Sequence, residues 1–195
     1  MLVGLCLLLA ACGSSEPRHS NSGGIPSSLL AGVRPIGHGP RFQPPLRGPA
    51  VGACRTHLGR RVQAHIELFG ANRVVLLATG IGTRAPRRIA DGRLSRARCF
   101  GAIVTLDPTG IVYFRPGTAL TVGDLFRAWG QPLSRKRIAS FSGRAVQVYV
   151  NGHPSSLSPR SLPLTQEAEI VLEIGPHVPP HSHFAFPPQP SPELR

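Results

Sequence analysis

The chain has 195 residues, enough for one compact domain with flanking segments rather than two domains. Its 22 Lys and Arg against nine Asp and Glu give a net charge of +13, and Lys136 is the sole lysine. Nine carboxylates leave little material for acid/base pairs or hard-cation cages, while a hydrophobic fraction of 41% excludes wholesale disorder despite 22 Gly and 21 Pro.

Residues 1–11 form an apolar run that includes Leu2, Val3, Leu5, Leu7, Leu8 and Leu9. A membrane-spanning helix needs about 20 such residues, so the run is read as the apolar region of a signal peptide. Leu9-Ala10-Ala11-Cys12 looks like a bacterial lipobox, which predicts cleavage before Cys12 and a diacylglycerol on its sulfur, although no Lys or Arg precedes the run. Plain secretion and a cytosolic chain with an apolar N-terminus are the competing readings. The expected location is therefore extracytoplasmic, with the protein lipid-anchored to the bacterial cell membrane. Residues 12–49, rich in Ser, Gly and Pro, read as a tether, residues 50–175 as a single domain, and residues 176–195 as a Pro/His-rich tail. Phe184 and Phe186 are aromatic residues by which that tail could dock back on the domain. Cys54 and Cys99 are the two cysteines left to the domain, and an oxidising compartment predicts that they pair.

Within the domain, strand signals lead. His65–Phe69 and Arg73–Leu77 flank Gly70-Ala71-Asn72 as a hairpin, and Ala102–Leu106 and Gly110–Phe114 flank Asp107-Pro108-Thr109 as a second. A helix follows, with Thr121 as N-cap, Asp124 at the capping-box position, Val122, Leu125, Phe126 and Trp129 at helical spacing, and Gly130 as the stop. Ala145–Val150 alternates as a strand into Asn151-Gly152. Glu167–Ile174 closes the domain, with Glu169, Val171 and Glu173 on one face and Ile170, Leu172 and Ile174 on the other. This order predicts an α+β fold, a small mostly antiparallel sheet packed by one helix and β-grasp-like, with Val122, Phe126, Trp129, Tyr149 and Ile170 in the core.

These motifs carry a resemblance. Cys54, His65-Ile66, Ala78-Thr79-Gly80-Ile81-Gly82, Cys99, Asp107-Pro108-Thr109-Gly110, Trp129-Gly130-Gln131-Pro132-Leu133 and Tyr149-Val150-Asn151-Gly152 follow one another over residues 54–188. In this the chain resembles an uncharacterised family of bacterial exported proteins and lipoproteins. Fuller members are similar to metal-binding proteins in their closely spaced histidines. Here Arg61, Gln63, Val104 and Leu106 stand at those positions, so the resemblance implies a His-depleted member that has lost such a cluster.

Two candidate sites remain. Arg84, Arg87, Arg88, Arg96 and Arg98 crowd the segment before Cys99, an electrostatic footprint for an anionic envelope polymer, lipid headgroups or a protein partner. No aromatic lies between Arg73 and Arg98, which argues against nucleic acid. His177, His181 and His183 cluster in the tail, and with His65 they are the candidate ligands for Zn or Cu, set against the plainer reading of exposed histidines with no cofactor. No nucleophile elbow and no free thiolate are evident, so no enzymatic activity is expected. The functional expectation is a non-enzymatic binding or structural module of the cell envelope, the alternative being an exported metal-binding protein with a degenerate histidine site.

Overall fold

The computed structural model describes residues 35–181 and 184–195. The expectations on the signal peptide, on Cys12 and on His183 lie outside these residues. The domain is α+β, mostly sheet with one α-helix among the described residues. No helix among the described residues is long and apolar enough to cross a membrane.

The strand at Val62–Gly70 (β1) runs through the centre of the main sheet. It turns at Ala71 and Asn72, whose φ of 51° and 63° both lie in the left-handed region that a two-residue hairpin turn demands, and returns as Arg73–Val74 (β2). The ladder is shorter than the expected 73–77, yet Val75 and Leu77 still enter the core, and the Val75 N–H still reaches the Leu68 carbonyl at 2.8 Å. Thr83–Ala90 (β3) and Arg93–Phe100 (β4) form a separate ribbon around Asp91-Gly92. Ile103–Val104 (β5) and Ile111–Phe114 (β6) pair across the Asp-Pro-Thr-Gly turn.

The helix, α1, spans Val122–Trp129. Thr121 accepts from the Asp124 N–H, the Asp124 carboxylate accepts from the Thr121 N–H, and Gly130 closes the helix in the left-handed conformation. After it, Leu133–Ser134 (β7), Arg137–Ile138 (β8) and Phe141–Ser142 (β9) make a small three-stranded sheet. Gln147–Val150 (β10), His153–Pro154 (β11) and Glu169–Ile174 (β12) complete the main sheet, in the order β11-β10-β12-β1-β6-β5. Its central pair, β1 and β12, is parallel, and every other pairing is antiparallel.

The central strands are buried on both faces, and the two faces differ in kind. Ala64, Ile66, Leu68, Ile170, Leu172 and Ile174 point into the core against Val122, Leu125, Phe126 and Trp129. Alternation places Gln63, His65, Glu67, Phe69, Glu169, Val171 and Glu173 on the opposite face. That face is covered by the chain after β12. Val178 packs on Phe69 and Val171, and Phe184 and Leu194 pack on the cluster of Leu58, Phe100, Leu106, Ile111 and Tyr113. Proline has no N–H to add to a ladder, so the tail joins through its carbonyls instead. Pro187 accepts from Gln63 Nε2, Pro192 from the Gly59 N–H and Leu194 from the Leu58 N–H, each at 2.9 Å.

The chain ahead of the sheet also runs along the domain from Pro35. Pro35 accepts from the Val74 N–H, the Gly37 N–H donates to Val74, and Phe42 packs against Phe141 with ring centres 4.8 Å apart. The Trp129 indole N–H donates to the Pro44 carbonyl at 3.2 Å. Cys54 and Cys99 form a disulfide that ties the segment before β1 to the end of β4.

Tyr149 departs from the expected core. It is half-buried at the sheet edge, because its hydroxyl needs polar partners and finds them at Gln147, Glu173 and His177.

Candidate functional site

The parallel pairing of β1 with β12 sets His65 beside Glu169. The imidazole Nδ1 stands 2.8 Å from Glu169 Oε2, and Nε2 stands 3.1 Å from the Thr109 carbonyl. Phe184 of the tail stacks on the ring at a centre distance of 3.7 Å and 11° between planes. Gly110, at a φ of +88°, fits against the ring where a Cβ would come within 2.8 Å of Nε2. His65 is thus held on four sides by three different segments of the chain.

Glu67 lies two residues along the same face. One ligating atom from each of His65, Glu67 and Glu169 falls within 4.8 Å of the other two. His181 brings Nδ1 to 3.2 Å from Glu67 Oε1. Glu169 is 2% exposed. Its backbone N–H donates to Asn151 Oδ1, its Oε2 meets His65, and its Oε1 has no hydrogen-bond partner among the described residues.

A second carboxylate on this face has a different environment. Glu173, fully buried, accepts at Oε1 from His177 at 2.6 Å and from the Tyr149 hydroxyl at 3.4 Å, and at Oε2 from the Val178 N–H at 2.8 Å. Every oxygen is satisfied. Burial, and then the Glu173 carboxylate, raise the Tyr149 phenol above its ordinary pKa. Four residues along a strand separate Glu173 from Glu169 by about 13 Å, so His177 belongs to one cluster and His181 to the other.

The basic segment forms the β3–β4 ribbon. Pairing sets Arg88 directly opposite Arg96 and Arg87 opposite Ala97, with register shifts on either side of Arg87 and Arg88. Arg87, Arg88, Arg96 and Arg98 line a cleft of about 590 Å³ with Thr56 and Arg195, whereas Arg84 is not part of that lining. Arg87 is anchored by Thr83, whose hydroxyl and carbonyl both accept from its guanidinium. Among the described residues no carboxylate lies within 4.0 Å of Arg84, Arg88, Arg96 or Arg98, while Arg93 pairs with Asp107 at 3.3 Å. Like charges set opposite one another on a ribbon repel, and among the described residues neither Arg88 nor Arg96 has an ion-pair partner.

Arg61 adds an interior cation that the sequence did not single out as a binding residue. It is 4% exposed and donates to the Leu58 and Ala102 carbonyls at 2.9 and 3.0 Å, yet its second terminal nitrogen has no partner. Burial, and then the nearby Arg115 and Arg55, lower its pKa to about 10.

The structure therefore joins some of the sequence candidates and separates others. His65 and His181 reach one cluster, His177 another, and four of the five arginines share a cleft. Glu67 and Glu169 were not among the candidates. The alternation of β12 already placed Glu169 on the face away from the core, and that was the available signal. Comparison with protein-family models, with curated proteins and with solved structures finds no match.

Proposed function

We propose that this protein is a non-enzymatic binding module of the bacterial cell envelope that engages a polyanionic surface through the β3–β4 ribbon. One observation carries the reading, the facing of Arg88 and Arg96 across the ribbon with no Asp or Glu carboxylate within 4.0 Å of either among the described residues. Removing such repulsion favours an external anion. Arg87 and Arg98 lie in the same cleft, and the cations Arg55, Arg61 and Arg115, electrostatically coupled to one another, add to the positive charge of the domain. The fold is read as β-grasp-like, from its first and last strands lying parallel at the centre of the sheet with one helix across the core face. The apolar run and Cys12 support a lipid anchor, and with it membership in the family of exported proteins that the motifs resemble. Such an anchor would hold the ribbon near headgroups, where each Arg contributes about 1 kcal/mol.

The test is co-sedimentation of the full chain with vesicles of phosphatidylglycerol and phosphatidylcholine, against pure phosphatidylcholine. Binding that requires the anionic lipid, weakens with added salt and falls at least tenfold on reversing Arg87, Arg88, Arg96 and Arg98 to Glu supports the reading. Binding unchanged by that reversal, or no binding to the anionic vesicles, overturns it.

A further inference from the structure

We infer that His65, Glu67, Glu169 and His181 form a site for a divalent cation of the Zn²⁺ class beneath the tail. This goes beyond the ribbon's anion chemistry and rests on different residues.

The inference begins with hydrogen-bond accounting at His65. The Thr109 carbonyl is an acceptor only, so the Nε2 that faces it at 3.1 Å carries a proton. A neutral ring then has its lone pair on Nδ1, and that lone pair faces Glu169 Oε2 at 2.8 Å. Two acceptors at this distance repel unless a positive charge stands between them. A proton on Nδ1 would satisfy that contact alone and leave Glu169 Oε1, a carboxylate oxygen of a 2%-exposed residue, without a partner as before. A cation answers both needs at once. It takes Nδ1 and the Glu169 carboxylate together, and the Glu67 carboxylate offers a ligand atom within 4.8 Å of each.

The surroundings match what a ligating imidazole requires. Such a ring donates its other N–H to a carbonyl or carboxylate, which fixes the tautomer and ring orientation. Thr109 does so here, and Gly110 allows the turn to close against the ring. His181, with Nδ1 3.2 Å from Glu67 Oε1, places a second imidazole beside the Glu67 carboxylate. Two imidazoles and two carboxylates, without thiolate, suit a borderline divalent ion rather than Cu(I), and Zn²⁺ takes such N and O donors at about 2.0–2.2 Å in tetrahedral geometry. The edges of that tetrahedron are about 3.4 Å, so the His65, Glu67 and Glu169 atoms, now within 4.8 Å of one another, close on an ion by side-chain movement of ~1 Å, and His181 joins them from its place beside Glu67. Phe184, stacked on the His65 ring, covers this part of the face and limits water access.

The experiment is equilibrium dialysis of the full, chelator-treated chain against Zn²⁺, with bound metal counted by elemental analysis. Co²⁺ absorption reports geometry independently. The expected result is one Zn²⁺ per chain, an intense visible Co²⁺ band of tetrahedral type, and at least a tenfold loss of affinity in both Glu67→Gln and Glu169→Gln. His177→Gln, on the neighbouring carboxylate, binds as the wild type does. Circular dichroism in chelator checks that each variant folds, and if Glu169→Gln does not, the half-buried Glu67→Gln decides. No Zn²⁺ binding by the wild type, full affinity in Glu67→Gln, or loss of binding in His177→Gln overturns the inference.

Discussion

His65 Nδ1 and Glu169 Oε2 lie 2.8 Å apart across the parallel pair of β1 and β12, joining residues 104 positions apart in the chain. The contact depends on register. A slip of one residue between β1 and β12 would turn Glu169 into the apolar core and Ile170 out of it. The burial of Ile170 and Leu172 against α1 therefore holds the polar pair in place as firmly as any bond between them.

Gly110→Ala tests how tightly that pair is seated. An added Cβ would stand 2.8 Å from both His65 Nε2 and the Ile66 carbonyl, at a φ of +88°. Gly117 has a similar φ of +71° with nothing within 4 Å, so Gly117→Ala reports the backbone cost alone, about 1–2 kcal/mol. Urea unfolding should show Gly110→Ala losing more than this control, with the His65 ring resonances displaced in the former only.

Reducing the Cys54–Cys99 bond frees a loop of 45 residues. The chain-entropy model assigns this about 4 kcal/mol. The Cys54→Ala/Cys99→Ala variant should unfold at correspondingly lower urea. Equal stability with and without reductant would show that native packing around Leu58 and Phe100 already restrains the loop.

Trp129→Phe removes the indole N–H that satisfies the Pro44 carbonyl at 3.2 Å. Leaving that acceptor without its donor costs about 1–3 kcal/mol. Limited proteolysis should detect faster cleavage within residues 35–48. Thr121→Ala, which deletes the helix cap, is expected to cost about 1 kcal/mol without exposing that segment.

Arg61 gives a pH signature. Its guanidinium is held at a pKa of about 10 in the fold, well below its unfolded value, chiefly by burial. Between these values the unfolded chain binds more protons, so this group's contribution to stability rises with pH through that window and is unfavourable below it. The stability of the wild type relative to Arg61→Met should therefore increase as pH climbs above about 10, read by urea titration at each pH. A flat difference would mean that the side chain is solvated in the native state.

Local signals were legible where one segment decides its own conformation. Thr121, Asp124 and Gly130 bound the helix because capping is settled within one turn. The alternation of Ile170, Leu172 and Ile174 against Glu169, Val171 and Glu173 assigned the two faces of β12 correctly. The β3–β4 ribbon was not legible as strands. Asp91-Gly92, with φ of 50° and 76°, is a strong hairpin signal, but arginines at so many flanking positions erase the apolar alternation that marks a strand. Phe141, a lone aromatic between Ser140 and Ser142, is likewise buried as a strand residue against Phe42, a partner about a hundred positions earlier that no local pattern announces.

Composition and spacing by themselves determined the charge, the helix after Thr121, the strand-rich character of the domain and the pair of cysteines, since each follows from residues within a few positions or from simple counts. Tertiary structure alone decided which polar groups meet. His65, Glu67 and Glu169 come together because a parallel pairing brings the last strand beside the first, and His181 joins them because a proline-rich tail, unable to extend the sheet, lies across its open face. Such meetings depend on closing long loops against entropy, with the gain supplied by apolar burial elsewhere in the sheet, so they leave no mark on the local sequence of the residues that meet.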